Sequence, residues 1–399
     1  MTTILACGDV GVKRPHCESM FAGCTQTLRR ADLCFAQLET TISERGAKAP
    51  NARLAMRAPP AMARAASAAG IGVMSFAGNH CLDYGYEAFA DTLQHAAAAG
   101  ITLCGAGQTL VAARRPALLD ASGARVAILA VSSILPEGYA AEPDKAGCAP
   151  MRAHTVYEPI EPDQPGTPAR ILTFADRADL TALLAGIRAV RAAADVVLVS
   201  LHWGIHMVPT LIADYQIEVA RAAIDAGADA ILGHHPHILK GIEFHRGRPI
   251  FYSLGNFAIE QPHIWDPAIV HSASFRNLVS LNPTWDPHQA YTLPPATRMT
   301  GIAKLTSLAK DQWDVRFLPA WIGDDSAPQL LDAADRRFSE VVDFIVRSSR
   351  DAGLNTEVTI DGNELLLRPL GYAGDSKGNR TQIAPPSMRG VVLHRLYQE

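Results

Sequence analysis

The chain has 399 residues, of which 48% are hydrophobic and 19% are charged, and its formal net charge is -4. A chain of this length and composition can bury a large core, so we expect one large domain with an appendage, or two domains. No polybasic stretch occurs in the sequence, so a nucleic-acid or anionic-membrane partner has no electrostatic support.

The N-terminal residues and the cysteines indicate where in the cell the protein is expected. The opening MTTILACGDV has no basic segment, and its apolar run is too short for a signal peptide; the LAC at residues 5–7 is similar to a lipoprotein cleavage box but lacks the preceding apolar segment. No run of about 18 or more apolar residues occurs, so no membrane span is expected. The seven cysteines are scattered and odd in number, which favours reduced thiols in a cytoplasmic protein.

Apolar runs alternate with helical patterns along the first two thirds of the chain. Residues 3–7 are predicted to form a buried strand that stops at Gly8, and residues 19–31 a helix. Further strands are predicted at 33–38, 71–77, 101–104, 125–132, 196–201 and 230–233, and further helices at 60–69, up to about 99, 176–194 and 214–227. This alternation indicates an α/β protein with a mainly parallel sheet and helices on its faces.

Two long segments lack such periodicity. Residues 134–170 are rich in proline and acidic residues, and we interpret them as an excursion over the active face, either an ordered lid or a disordered loop. Residues 260–298 form an aromatic- and proline-rich loop. After it, two antiparallel strands are predicted at 300–322, a helix at 328–351, and a closing hairpin around Asp361, Gly362 and Asn363.

Polar side chains of one chemical class follow five of the apolar runs. The carboxyl ends of buried strands are where loops converge and ligands bind, and imidazole and carboxylate groups are common metal ligands. Taken singly, Asp9 could cap a helix, Asn79 could be a satisfied loop group, and His202 a core histidine. Jointly they predict a metal site built from Asp9, Glu39, Asn79 with His80, His202, and the cluster His234, His235 and His237.

Six short motifs occur in a fixed order: GDV, LET, GNHCLDYG, HWG, GHHPH and YSLGNF. Over residues 3–322 the chain resembles the CapA family of capsule and poly-γ-glutamate synthesis proteins, a branch of the calcineurin-like metallophosphoesterase superfamily. The resemblance implies a four-layer αββα sandwich with a two-metal site at the strand ends. We therefore expect a metal-binding catalytic core at 1–260, including the excursion 134–170. A C-terminal α+β extension at 261–399 would complete the sandwich and cover the site.

The resemblance also implies roles for individual residues. Glu39 would bridge two divalent ions of Mn, Ca, Fe or Zn, or contact a single one. Asp9 and His237 would bind one ion, and Asn79, His202 and His235 the other. His80 would be an unligated acid or base, and Asp83 would either orient its imidazole or cap the following helix. The candidate catalytic residues are then His80, Asp83, His206 and His234.

Two positions depart from related sequences: Gly11 departs from the wider superfamily, as is usual in CapA-like sequences, and His206 departs from the CapA-like pattern itself. The superfamily has a histidine two residues after the first aspartate, where this chain has Gly11, so the ion held by Asp9 should be weakly bound or absent. Its remaining ligands are rich in oxygen and favour hard ions such as Mn or Ca. CapA-like chains commonly carry a glutamate where this chain has His206, which alters the charge of the pocket wall. They are also typically exported or membrane-anchored.

Three functions fit the sequence. The first is a metal-dependent hydrolase acting on a phosphoester or on a peptide-like γ-glutamyl amide. The second is a peptide epimerase that removes and returns a Cα proton. The third is a non-catalytic component of a polymer-synthesis complex.

The expected partner is a peptide or a small anionic substrate, and a homo-oligomer is possible. Lys240 and Arg248 are the cations nearest in sequence for gripping a phosphate. Aromatic and histidine side chains of the 260–298 loop could line a peptide groove or pack at the surface. They are Trp265, Phe275, Trp285, Tyr291, His263, His271 and His288.

Overall fold

A computed structural model of the chain describes residues 1–52, 54–261, 265–309 and 312–371. The helices in these ranges are α1 Thr25–Leu28, α2 Ala61–Ala69, α3 Gly85–Ala98, α4 Leu110–Ala113, α5 Arg177–Arg191, α6 Asp214–Asp225, α7 Pro267–Val270, α8 Ala273–Leu281 and α9 Arg336–Asp351. Two 3₁₀ turns, Cys17–Phe21 and Pro295–Arg298, accompany them.

The strands of the same ranges are listed here in chain order. They are β1 Thr2–Gly11, β2 Leu33–Leu38, β3 Thr41–Ile42, β4 Arg57–Ala58, β5 Val73–Ser75, β6 Thr102–Cys104, β7 Ala106–Gly107, β8 Ala117–Ala121, β9 Ala124–Ser132, β10 Gly147–Cys148, β11 Ala153–Pro159, β12 Ala169–Ala175, β13 Val196–His202, β14 Ala230–His234, β15 Ile242–His245, β16 Arg248–Phe251, β17 Asn256–Ile259, β18 Met299–Ala309, β19 Gln312–Ile322, β20 Pro328–Leu330, β21 Thr356–Asp361 and β22 Glu364–Pro369.

Most strands belong to two sheets. The larger has the order β21-β22-β19-β18-β1-β2-β5-β6, with β17 beside β1 and β20 beside β19; the smaller has the order β15-β16-β14-β13-β9-β8. Strands β1, β2, β5 and β6 run parallel, as do β9, β13, β14 and β16. The predicted parallel sheet is therefore present as the parallel part of two separate sheets.

Strand β13 shows how the layers are stacked. Val196 and Leu198 lie in the core that also contains the larger sheet. Val197, Val199 and Leu201 point the other way, into a second core formed with α5 and α6. Successive side chains of a strand face opposite sides of its sheet, so β13 is covered by a sheet on one face and by helices on the other.

Helices also cover the larger sheet. Met62 of α2 and Phe89 of α3 are buried in the core of that sheet, and the rings of Phe76 and Phe89 stack with centroids 5.6 Å apart. Helix α9 packs on β18 and β19 and also contacts β15. The protein is thus the expected four-layer αββα sandwich.

Strand β1 is longer than predicted. It continues to Gly11, because its outer edge passes from β18, which pairs with residues 2–7, to β17, which pairs with residues 9–11. At the changeover the backbone of Gly255 is so close to Gly8 that an added Cβ would lie 2.0 Å from the Gly255 carbonyl oxygen. The glycine is required by close contact between backbones and does not end the strand.

Two helices are shorter than predicted. The segment 19–31 is divided into a 3₁₀ turn and α1, since at Gly23 the Pro328 carbonyl approaches to 2.7 Å of where a Cβ would be. The segment 328–351 begins as β20, and α9 starts only at Arg336, where the Asp335 side chain accepts a hydrogen bond from the Arg337 amide. A capping aspartate marks such a start.

The segment 134–170 was also wrongly predicted to lack regular structure. It contains β10 and β11, and β11 pairs along its whole length with β12 in a hairpin that contacts α6. Most side chains of this hairpin are exposed, so its sequence carries little of the burial alternation that identifies a strand. By contrast, the antiparallel strands predicted at 300–322 and the closing hairpin are confirmed by β18 with β19 and β21 with β22.

The 260–298 segment contains α7, α8 and a 3₁₀ turn rather than only loop. The rings of Trp265, Phe275 and Trp285 contact one another with centroids 5.2 to 6.1 Å apart. These three rings therefore pack on one another, which is the surface-packing alternative. Tyr291 belongs to a small cluster with Leu293 and Ile322, against which Trp265 packs. His271 and His288 are exposed, while His263 lies outside the described residues.

The division predicted at residue 260 remains a prediction, although β18, which follows it, pairs with β1, which precedes it. All seven cysteines are buried and carry free thiols. Within the described ranges, no helix combines the length and apolar character needed to cross a membrane.

The contact at Gly8 leads to a stability prediction. Gly8→Ala should destabilise the fold by roughly 1–3 kcal/mol, because the new methyl group overlaps a backbone carbonyl that cannot rotate away. Gly72→Ala is the matched control, since the nearest atom to an added Cβ there is 4.0 Å away. Urea denaturation measures both variants, and equal midpoints for the two would contradict the prediction.

Candidate metal centre

The predicted site residues converge between the two sheets. Parallel strands deliver their carboxyl ends to one edge of each sheet, and β1 contacts β14 across the sandwich. The larger sheet contributes Asp9, Glu39, Asn79 and His80, and the smaller contributes His202, His234, His235 and His237. Residues far apart in sequence therefore meet because strand direction is shared.

Asp9 lies at the bottom of the site and is fully buried. Its Oδ1 is 3.3 Å from His234 Nδ1, and its Oδ2 is 3.4 Å from His237 Nδ1. Burial acts to raise the pKa of Asp9, but the two nearby histidines prevail and lower it well below its usual range. The histidines therefore favour the carboxylate form of Asp9.

Glu39 follows β2 and is also buried. Its Oε1 is 3.6 Å from His80 Nε2, and its Oε2 is 3.5 Å from His202 Nδ1. Burial, followed by the charges of Asp9 and Asp83, raises the pKa of Glu39 well above its usual range. A cation bound near the carboxylates would offset the cost of burying their negative charges.

One group of possible ligands is entirely buried. Glu39, His202 and His235 each offer an atom, and these atoms lie within 4.8 Å of one another. Asn79 adjoins the group, with its Oδ1 2.6 Å from His202 Nε2. Burial lowers the pKa of His202 and of His235, so both imidazoles are neutral, which is the form that binds a metal ion.

A second group lies nearer the surface and consists of His206, His235 and His237, again with ligand atoms within 4.8 Å of one another. The ring of exposed His206 stacks on His235 with centroids 4.0 Å apart and on His237 with centroids 5.2 Å apart. His235 and His237 have φ angles of 92° and 59°, in the left-handed region that non-glycine residues rarely adopt. Such backbone strain clusters at functional sites.

Asn256 is a site residue that the sequence reasoning missed. Its Oδ1 is 2.8 Å from His237 Nδ1, and its backbone pairs with Asp9 in the β1–β17 ladder. An amide oxygen that accepts from Nδ1 leaves Nε2 of His237 as the nitrogen for a metal. The sequence offered a signal for this residue, since Asn256 lies in the YSLGNF motif.

His80 is held from one side by Asp83. The His80 Nδ1 lies 2.6 Å from Asp83 Oδ2, which also accepts from the Met56 amide at 2.6 Å. Helix α3 has no side-chain cap, so of the two alternatives for Asp83 the structure shows the one in which it orients the imidazole. The ring then presents Nε2 toward Glu39.

Tyr139 completes this arrangement and was not predicted. Its hydroxyl donates to Asp83 Oδ1 at 3.1 Å. Burial, followed by the charge of Asp83, raises the pKa of Tyr139, so the phenol keeps its proton. Tyr139 belongs to the 134–170 excursion, which therefore contributes directly to the site.

Three further candidates, His234, Lys240 and Arg248, have partners within the fold. His234 is fully buried between Asp9 and the Phe35 ring, whose centroid is 5.8 Å from that of His234. A catalytic role for His234 remains a prediction. Lys240 Nζ donates to the Val208 and Leu211 carbonyls at 2.6 and 2.7 Å, and burial lowers its pKa to about 7.

Arg248 forms an ion pair of 3.3 Å with Asp229. The guanidinium and the buried Lys240 ammonium are therefore engaged within the fold. Both cations that the sequence suggested for binding a phosphate therefore already have partners within the protein.

Several buried polar atoms of the site have no hydrogen-bond partner. A buried unsatisfied group costs about 1–3 kcal/mol, and more when charged, so such a concentration requires an explanation. A divalent cation fits the donor set, because carboxylate oxygens and neutral imidazole nitrogens together suit Mn, Fe or Zn. The atoms are both carboxylate oxygens of Asp9 and of Glu39, Nδ1 of His202 and His235, and both ring nitrogens of His234.

The four-layer sandwich, with candidate metal ligands at its strand ends, is metallophosphoesterase-like in fold. The particular family is shown by sequence. The profile described as "Bacterial capsule synthesis protein PGA_cap" matches residues 3–261, and the chain belongs to this family.

Curated relatives carry names from the same field. A probable polyglutamine synthesis accessory protein of Mycobacterium tuberculosis is 35% identical over 229 residues, covering 56% of this chain and 55% of the relative. The PGA biosynthesis protein CapA of Bacillus subtilis is 33% identical, covering 47% of this chain and 43% of the relative. The chain thus spans about half the length of these relatives.

Solved structures resemble the chain more distantly. The NAD nucleotidase of Haemophilus influenzae aligns with a TM-score of 0.43 at 11% identity, covering 86% of this chain and 62% of that one. A hypothetical protein from Thermus thermophilus aligns with a TM-score of 0.37 at 15% identity, covering 82% of this chain and 98% of that one.

The site geometry predicts metal-dependent stability. A divalent ion at 100 times its dissociation constant should stabilise the wild-type protein by about 2.7 kcal/mol. His235→Ala should lose most of this gain, because His235 belongs to both ligand groups. Elemental analysis and thermal unfolding with and without added Mn or Zn measure the effect.

His245→Ala is the control, since His245 pairs with Asp225 at 2.9 Å outside both ligand groups. This variant should retain the metal and the stabilisation of the wild-type protein. Equal, negligible metal in all three proteins would contradict the prediction.

Proposed function

We propose that the protein is a metal-dependent hydrolase that cleaves a peptide-like γ-glutamyl amide or a phosphoester. The observation that carries the proposal is a set of buried carboxylate and imidazole atoms that have no hydrogen-bond partner. These atoms lie beside a histidine whose ring is oriented by Asp83. A core without function would have no reason to retain such a costly arrangement.

The proposed ligands follow the two sides of the site. Asn79, His202 and His235 would hold one ion, and Asp9 and His237 would hold the other. Glu39, a carboxylate with two oxygens, would contribute to holding both. When bound, divalent ions supply Lewis acidity and make water a nucleophile at neutral pH.

His80 moves the proton in this proposal. Because Nδ1 faces the Asp83 carboxylate, the imidazole carries its hydrogen there and presents Nε2 toward Glu39 and the metal centre. Nε2 can then take a proton from the attacking water and return it to the departing amine or alcohol. Asp83, held by Tyr139 and the Met56 amide, keeps the ring in this orientation.

The amide is the substrate class that we favour. Lys240 and Arg248, the cations suggested for a phosphate, have partners within the fold. The relatives named for PGA biosynthesis and polyglutamine synthesis direct attention to a glutamyl polymer or a peptide of similar chemistry.

A peptide epimerase is the second candidate. The same His80–Asp83 pair could remove a Cα proton and return it, with one cation stabilising the charge on the neighbouring carbonyl. A non-catalytic role fits the word accessory in a relative's name, but it gives no account of the oriented His80.

The assignment of His80 predicts a separation of binding from turnover. His80→Asn should keep its metal and lose about 100- to 10,000-fold in rate, because a positioned proton-transfer group contributes that much. Metal content by elemental analysis and turnover on a γ-glutamyl peptide are measured on the same preparation.

His245→Asn is the matched control, as it disrupts another histidine–aspartate pair away from the site. It should keep both metal and rate. If His80→Asn loses its metal, His80 is a ligand and the assignment is wrong.

Isotope exchange separates the two enzymatic candidates. A hydrolase should cleave a γ-glutamyl peptide in deuterated water without placing deuterium at a Cα, because its proton transfers involve only water and the leaving group. Mass spectrometry and chiral analysis of the products report both events. Deuterium at a Cα without chain cleavage would reject the hydrolase in favour of the epimerase.

A further inference from the structure

We propose that His206 is a metal ligand of the ion that Asp9 and His237 hold. The inference rests on the two-ion centre proposed above and adds a nitrogen ligand to its outer ion. Gly11, two residues after Asp9, has no side chain to contribute, so without His206 this ion has only Asp9, Glu39 and His237.

The two ligand groups share one imidazole, and this sharing identifies the role of His206. His235 belongs to the inner group with Glu39 and His202 and to the outer group with His206 and His237. A neutral imidazole has one unprotonated nitrogen and therefore serves one ion. With His235 in the inner, fully buried group, His206 and His237 remain as a pair for the outer ion.

Asp9 adjoins one member of that pair. Its Oδ2 lies 3.4 Å from His237 Nδ1, the ring nitrogen that also faces Asn256 Oδ1, which leaves Nε2 as the nitrogen for an ion. The His206 and His237 rings stack with an interplanar angle of 29° and centroids 5.2 Å apart, and each ring offers a nitrogen to the outer group, whose ligand atoms lie within 4.8 Å of one another. Two imidazoles and a carboxylate supplied from three segments are a reasonable ligand set for a transition metal.

The loop that carries His206 is pinned at several points. The Met207 amide donates to the Pro236 carbonyl at 3.0 Å, joining this loop directly to the turn that contains His235 and His237. Met207 itself has a φ of 52°, a left-handed conformation maintained by these contacts.

The flanking residues are fixed as well. The Gly204 amide donates to the Tyr215 hydroxyl at 2.8 Å, and the Trp203 indole donates to the Tyr252 carbonyl at 3.0 Å. Lys240 Nζ holds the carbonyls of Val208 and Leu211. His206 is thus exposed at its tip but carried on a fixed backbone, as a preorganised ligand should be.

The additional nitrogen changes which ion is preferred. Carboxylates with a single imidazole favour hard ions such as Ca, whereas two carboxylates with two imidazoles favour Zn, Fe or Mn. His206 therefore converts a weak, oxygen-rich set into a four-ligand site selective for a transition metal.

Metal titration of the full-length protein tests the inference without reference to activity. Isothermal titration with Zn and with Ca is performed on wild type, His206→Ala, His206→Glu and the control His16→Ala. His16 is an exposed histidine that pairs with Glu18 at 3.7 Å and belongs to neither ligand group. X-ray absorption at the Zn edge counts imidazoles per ion in the same samples.

We expect wild type and His16→Ala to bind two Zn ions. Replacing even an outer-shell partner of a metal costs about 10–100-fold in affinity, so His206→Ala should weaken the second Zn step by at least about tenfold and leave the first unchanged. The mean imidazole count should fall in this variant. His206→Glu should retain the second ion with a preference shifted toward Ca.

The remaining outcomes distinguish this inference from the function on which it rests. Two Zn steps of unchanged affinity in His206→Ala, or a single step in wild type, would overturn the role of His206 and leave a metal enzyme intact. No binding by wild type would overturn the proposed metal-dependent function, and the role of His206 with it.

Discussion

The burial of two carboxylates without hydrogen-bond donors is the constraint on which the site depends. Asp9 and Glu39 are both enclosed, and none of their four oxygens has a hydrogen-bond partner. The pKa of Asp9 is lowered by His234 and His237, whereas the pKa of Glu39 is raised by burial and by Asp9 itself. Two neighbouring acids with opposed shifts are an arrangement that a cation would stabilise and that a purely structural core would avoid.

The segment 252–256 brings these groups together. The Leu254 amide donates to the Gly233 carbonyl in the smaller sheet, and the Asp9 amide of the larger sheet donates to the Gly255 carbonyl. A Cβ on Gly233 would lie 2.2 Å from the Tyr252 carbonyl, and one on Gly8 would overlap Gly255. Glycine at both positions lets one extended segment pass between the strand ends and position the histidine turn against Asp9.

The acid–base group and the metal ligands that we propose are positioned by different parts of the chain. The proposed metal ligands lie on strand ends and on the loops around His206 and His237. The orientation of His80 instead depends on Asp83, on the Met56 amide and on Tyr139 from the excursion. A change in the excursion could therefore alter the orientation of His80 without touching the strand ends that carry the proposed ligands.

The sequence alone determined the alternation of strands and helices, the α/β class and the strand-end position of most candidate ligands, because hydrophobic periodicity and residue chemistry are local properties. It also identified the family through motifs such as GHHPH. Tertiary structure decided what depends on distant partners: the division into two sheets, the continuation of β1 past Gly8 and the choice of orientation over capping for Asp83. Tyr139 and the stacking of His206 on His235 could be recognised only in three dimensions, since each acts through a residue far away in sequence and no local pattern records that contact.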